Sequence, residues 1–264
     1  DPQQKPALLI PGGDVGYASL DAVWVEEKYI YGRPRNPHIA DTAKLSAVEQ
    51  RTVKLAASDS KGVTPEKALA RLIEEKGMAN GRIGMDHFAI PITIYERIRA
   101  GLPRATLLPA SMFFCYVRMI KTPEEIRRLR ESAEMNEQAI NAMLRACRPR
   151  MTENELASIY KGEIAKAGGQ VYWMHMAVTR GGNFSAIKDN VLQKGDIFRV
   201  DMGCSINGYH ADVCKSGCVG AEPTAEHRKR YDAIQAGVLK SVEALKPGAR
   251  PQELYETMIA GVRA

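Results

Sequence analysis

Two aspartates, Asp201 and Asp212, flank an Asn207-Gly208 pair in the run GDIFRVDMGCSINGYHADV. Asn and Gly both tolerate positive φ, which a two-residue type I′ hairpin turn requires, and the flanking residues read as strands. With those two residues as the turn, Ile206 faces Tyr209, Gly203 faces Asp212 and Asp201 faces Cys214. Asp201 and Asp212 are then diagonal neighbours on one face, with backbones roughly 7–8 Å apart and side chains closer. Carboxylates held this near repel. Either one stays neutral with a raised pKa, or the pair binds a cation. Hard oxygen ligands suit manganese, cobalt, iron or zinc in a hydrolytic centre better than a structural thiolate zinc. The alternative is two aspartates on a solvated sheet face, and a one-residue slip or a bulge would undo the pairing.

Other residues around this hairpin carry weaker signals. On the same register His210 and Cys214 share the aspartates' face, so an Asp/His/Cys zinc site can be drawn. A strand cysteine is more often a small core residue, and His210 lies near the sheet edge. His175, in VYWMHMAV, is a candidate catalytic residue at the end of a strand facing the hairpin, with a structural role in the wall as the alternative. Tyr172, Trp173 and His175 are candidates for the lining of a substrate pocket, against the commoner aromatic core strand. TRGGN, from Thr179, lacks the spacing of a phosphate loop and reads as a turn between strands. The charges of EIRRLRES, from Glu125, recur at helical spacing and form a solvated helix face.

Helices must launch and flank this sheet. Thr122, Pro123 and Glu125 form a capping box with proline at the first helical position, predicting a long helix to about Cys147. Thr152 and Glu155 make a second box, whose helix stops at Gly168-Gly169. Strands follow, and helices return at about Thr224 and Pro251. Helices, an antiparallel sheet and helices again make an α+β domain. Before Lys121 the pattern is α/β: an apolar run at Ala7, a helix opened by Thr64-Pro65-Glu66, a strand in GRIGMD from Gly81, and a helix closed by Gly101 and Pro103. The expected domains are residues 1–118 and 119–264.

Composition narrows the class. The chain has 264 residues, 45% hydrophobic and 26% charged, enough for a sizeable core and two domains. Its 37 basic and 31 acidic residues are spread evenly, which argues against a nucleic-acid partner. The five cysteines lack CxxC spacing, and a reduced, cytoplasmic setting is expected. No run of about 18 apolar residues spans a bilayer, so no membrane role is expected. The chain starts without methionine and closes inside a predicted helix, so both ends are expected to be cut.

The hairpin run, with its aspartates eleven residues apart around Asn-Gly-Tyr, resembles the first metal hairpin of the pita-bread family: prolidase, aminopeptidase P, methionine aminopeptidase and creatinase. RMIKTPEEIRRLRESAEMNEQAI resembles the entry to that family's catalytic domain, and YDAIQAGVLKSVEALKPGARPQELYE the helices after its hairpin. The first domain resembles the creatinase-type amino-terminal domain. The resemblance implies an incomplete two-domain fold, α/β followed by α+β pita-bread, and metal-dependent cleavage of a C–N bond. In the family, two aspartates, a histidine and two glutamates hold two divalent ions (manganese, cobalt, zinc or iron), and a bridging water attacks the amide. Asp201 and Asp212 match the two aspartates. The histidine and glutamates are expected after Ala264. The resemblance further implies a peptide substrate with an Xaa-Pro bond and a homodimer. Two departures bear on substrate: GGNFSAIKDNVLQKGD lacks the family's substrate-facing histidine, and Lys215 stands where many relatives carry arginine. The missing histidine pulls toward a creatinase-like hydrolase of a small amide or amidine as one alternative, and a non-catalytic binding descendant of the fold is another.

Overall fold

The computed structural model describes residues 4–21, 23–33, 44–178, 185–187 and 189–263. The chain divides into two compact units, Asp1–Ile120 and Lys121–Ala264.

In the first unit, β1 (Ala7–Pro11) leads through α1 (Val15–Ala18) to β2 (Glu27–Tyr31), which pairs with it in parallel. Helices α2 (Ala47–Ala56) and α3 (Pro65–Glu75) follow. β3 (Arg82–Met85), α4 (Ile92–Gly101) and β4 (Thr106–Pro109) then form a second parallel pair with its crossover helix. Helix α5 (Ser111–Met119) closes the unit. Ile10, Val15, Ala18, Ile30 and Ala56 fill one small core, and Ala70, Ile73, Met85, Ile98 and Leu102 another. The α/β pattern read from the apolar runs is present.

In the second unit, α6 (Pro123–Ala146) starts where its capping signal predicts. The Thr122 hydroxyl accepts from the Glu125 backbone N–H at 3.2 Å, and the Glu125 carboxylate accepts from the Thr122 N–H at 2.7 Å. Helix α7 (Glu153–Lys166) carries the same reciprocal cap from Thr152 and Glu155. Such caps satisfy donors that a helix start leaves open, contributing about 1 kcal/mol each. Strands β5 (Gln170–Val178), β6 (Ser185–Ala186), β7 (Ile197–Ile206) and β8 (Tyr209–Cys218) form an antiparallel sheet of order β6-β5-β7-β8. Helices α8 (Ala225–Ala244) and α9 (Pro251–Arg263) end the chain. The TRGGN stretch read as a turn lies outside the described residues.

One face of this sheet is packed on α6 and α7. Phe198, Val200, Met202 and Cys204, every second residue of β7, are buried with Ile140, Met143, Leu156, Tyr160 and Ile164. Burial of each large apolar side chain contributes about 1.5–3 kcal/mol, so this face fixes the hairpin. A buried polar chain crosses the same layer. Tyr160 donates its hydroxyl to Asn136 Oδ1 at 2.7 Å, and Asn136 Nδ2 donates to the Met202 carbonyl at 2.9 Å. At the margin, Lys215 Nζ donates to Glu137 Oε1 at 2.6 Å and to Asn141 Oδ1 at 3.1 Å, tying β8 to α6. With Phe198, Val200 and Met202 facing the helices, Asp201 and Gly203 face the opposite way.

Candidate metal centre

The turn residues Asn207 and Gly208 have φ of 51° and 81°, the left-handed pair a type I′ turn needs. Pairing outward from it matches Gly203 with Asp212 and Asp201 with Cys214, the register the turn predicts. Both aspartates therefore emerge on the face away from the helices. Asp201 is half-buried and Asp212 exposed. Partial burial of its carboxyl, then the charge of Asp201 and a hydrogen bond between the two carboxyls, raise the Asp212 pKa above the ordinary aspartate range. Burial and a second acid close by thus both favour the protonated form of Asp212.

Strand β5 completes the face. His175 pairs with Asp201 and Trp173 with Gly203, and a register shift between Val171 and Trp173 leaves Tyr172 as an extra residue. That bulge turns Tyr172 and Trp173 to the same side. Trp173 Nε1–H donates to Asp201 Oδ1 at 3.1 Å. Its indole lies flat over Gly203, where a Cβ would collide with Trp173 Cε2, Cζ2 and Cδ2. The Tyr172 ring meets the His210 imidazole at 4.5 Å and the Trp173 indole at 5.3 Å. His175 is exposed. The structure thus brings His175, Trp173, Asp201 and Asp212 to neighbouring positions of one face, while Tyr172 and His210 meet edge-on beside them. The bulge and the seat at Gly203 have no signal in the sequence, because both depend on which strand lies alongside.

The mixed zinc site drawn on the hairpin is not assembled. Among the described residues no group of three or more His, Cys, Asp or Glu side chains is placed to hold a metal ion. His210 meets the Tyr172 ring edge-on instead, and burial followed by the charges of Asp201 and Asp212 raises the Cys214 thiol pKa, against the opposing pull of Arg199. The two aspartates by themselves fit a hard divalent cation: both carboxyls lie on one face, close enough that Asp201 adds to the effect of burial in raising the Asp212 pKa. A separate cleft of about 340 Å³, lined by residues including Ile197, Ser216, His227, Tyr231 and Asp232, includes neither aspartate.

The shared proton gives a direct prediction for the metal-free chain. A folded-state pKa above the unfolded value means the native state holds the extra proton, so stability falls as pH rises from the ordinary aspartate range through the raised Asp212 value. Asp212→Asn is expected to flatten that fall and to leave the chain slightly more stable at neutral pH. Urea denaturation at a series of pH values from about 4 upward checks this. A parent profile that rises with pH over the same window would contradict it.

Comparison with known proteins supplies the wider context. Residues 127–264 match metallopeptidase family M24, and residues 4–120 match the creatinase/prolidase N-terminal domain. The Xaa-Pro aminopeptidase of Escherichia coli is 26% identical over 180 residues, covering 63% of this chain and 41% of that protein. The Xaa-Pro dipeptidase of Pyrococcus furiosus is 27% identical over 143 residues, covering 52% of this chain and 40% of that protein. The chain therefore spans about two fifths of the length of these relatives. The crystal structure of an X-Pro aminopeptidase from Thermotoga maritima has the same fold, with a TM-score of 0.70 at 18% identity over 81% of this chain and 60% of that one. No helix among the described residues is long and apolar enough to cross a membrane. With 138 of its 264 residues inside the first match, both aspartates among them, the chain belongs to metallopeptidase family M24.

Proposed function

We propose that this chain belongs to a metal-dependent hydrolase of C–N bonds, acting on peptides with an Xaa-Pro bond. The observation that carries this reading is the convergence of Asp201 and Asp212 on one open sheet face. A divalent cation bound there would polarise a substrate carbonyl and lower the pKa of its water, which lets an amide be cleaved at neutral pH. The protein's own groups orient that centre. Asp201 and Asp212 carry the ligand charge, and Trp173 holds one Asp201 oxygen. His175, paired with Asp201 across β5 and β7, is placed to hold or pass a proton at its imidazole. Tyr172 and Trp173 supply an aromatic wall for substrate.

The same reading assigns residues 1–118 to the creatinase-type amino-terminal domain and 119–264 to the first half of the pita-bread catalytic domain. It takes two metal ions from manganese, cobalt, zinc or iron, with ligands beyond this chain's two aspartates, and a homodimer of the family kind. Five free cysteines support a reducing, cytoplasmic setting. A creatinase-like action on a small amide or amidine is the second reading, favoured by the absence of histidine from the run between Gly181 and Asp196. The natural protein carrying this sequence, supplied with Mn2+ and offered Xaa-Pro dipeptides beside creatine-like and cyclic amide compounds, separates the two. Turnover of the proline peptides supports the first. Turnover confined to the small amides overturns it, and no turnover of either class leaves a binding descendant as the better account.

A further inference from the structure

We infer that Trp173 is a positioning residue for the metal centre, aiming Asp201 through its indole N–H. Three observations on the same face converge on this role. The Trp173 Nε1–H donates to Asp201 Oδ1 at 3.1 Å, which holds one of the two carboxylate oxygens. The bulge at Tyr172 is what turns residue 173 to this face. Counting without it, from the core-facing Val171 beside Cys204, residue 173 would point into the helices. Finally, the indole is seated on Gly203, the residue paired with Asp212, and any side chain there would lift the ring. A rigid aromatic plate thus sits against Gly203, the residue paired with Asp212, and is bonded to Asp201.

Chemically the arrangement does what an outer partner does for a metal ligand. A carboxylate on a strand can rotate about χ1 and χ2, and its binding to a cation carries the cost of stopping that rotation. A neutral donor fixed by packing stops it beforehand, without adding the positive charge that would compete with the cation. An arginine or lysine in this place would hold Asp201 equally well and weaken the centre. Phenylalanine would keep the plate and lose the hold.

This inference rests on the metal reading of Asp201 and Asp212, and its test separates the two. The chain has two tryptophans, Trp24 and Trp173, so Trp24→Phe leaves a single indole to observe. Trp24 is exposed in the first unit, outside the centre. In 15N-labelled protein on that background, the Trp173 indole N–H resonance is expected to move upfield on Asp201→Asn, because the charged acceptor is gone. A resonance indifferent to Asp201→Asn overturns the inference. Mn2+ affinity, read by the electron paramagnetic resonance of free Mn2+, is expected to fall about tenfold in Trp173→Phe, in the range known for outer-shell partners of metal ligands. Gly203→Ala, which keeps the indole and displaces it, is expected to weaken binding in the same direction and serves if Trp173→Phe does not fold. Unchanged Mn2+ affinity in the folded variants, with loss in Asp201→Asn, overturns the positioning role and leaves the metal reading standing. No saturable Mn2+ binding by the parent overturns both.

Discussion

Asp201→Asn and Asp212→Asn are each expected to abolish measurable Mn2+ binding by this chain and, in the natural protein, to lower kcat on its substrate by on the order of 10³-fold or more. The two carboxylates are the whole of the ligand charge that this chain brings to the face, since no third His, Cys, Asp or Glu joins them among the described residues. Removing either one halves that charge and leaves a monodentate neighbour, too little to strip water from a divalent cation. The effect is expected to be equal in kind for both residues, because Asp201 and Asp212 face each other diagonally across the same two strands. Their consequences for the metal-free chain differ. Asp212→Asn removes the group whose pKa is raised, so it relieves repulsion, whereas Asp201→Asn also takes the charge from the acceptor that Trp173 holds. Asparagine keeps the size of aspartate, so circular dichroism of both variants is expected to match the parent. A variant that binds Mn2+ as the parent does would remove that aspartate from the centre.

Asn136→Ala is expected to lower the unfolding free energy of the second unit by about 2–4 kcal/mol. Asn136 is fully buried on α6, and its side chain joins three elements: it receives the Tyr160 hydroxyl from α7 and donates to the Met202 carbonyl of β7. Alanine removes the acceptor of one buried group and the donor of another, and it leaves a small cavity between them. Tyr160→Phe removes one bond of the same chain and is expected to cost less, about 1–2 kcal/mol. A double variant is expected to cost less than the two singles together, since the shared bond is lost once. Urea unfolding of the four proteins measures all three quantities. Additive costs would show that Tyr160 and Asn136 act separately. Because Met202 is the residue after Asp201, loosening its carbonyl is expected to reach the metal face as well.

Local chemistry was the readable part of this molecule. Asn207-Gly208 specifies the turn and with it the register, which puts Asp201 and Asp212 on one face. Thr122 with Glu125 and Thr152 with Glu155 marked the starts of α6 and α7, because a capping box is written within four residues. What the sequence did not carry was long-range. The bulge at Tyr172 exists only because β5 runs beside β7, so the orientation of Trp173 could not be counted from its own strand. For the same reason the bond from the Trp173 indole N–H to Asp201 had no signal in the strand's own residues. His210 looked like a ligand from the hairpin alone, and the ring of Tyr172, arriving from the next strand, gives it a different partner. In the first unit, β2, β4 and α5 are short and lack strong punctuation, and they take shape from their parallel partners and neighbours more than from their own pattern.

The claim at the centre of this account is that Asp201 and Asp212 form a divalent-cation site that needs further ligands to bind tightly. Titration of the chain with Mn2+ at neutral pH and low salt, followed by the resonance of the free ion, tests it most directly. The account predicts one weak saturable site, on the order of millimolar, that disappears in Asp201→Asn and in Asp212→Asn. A tightly held stoichiometric ion, or a site that survives both substitutions, would contradict it.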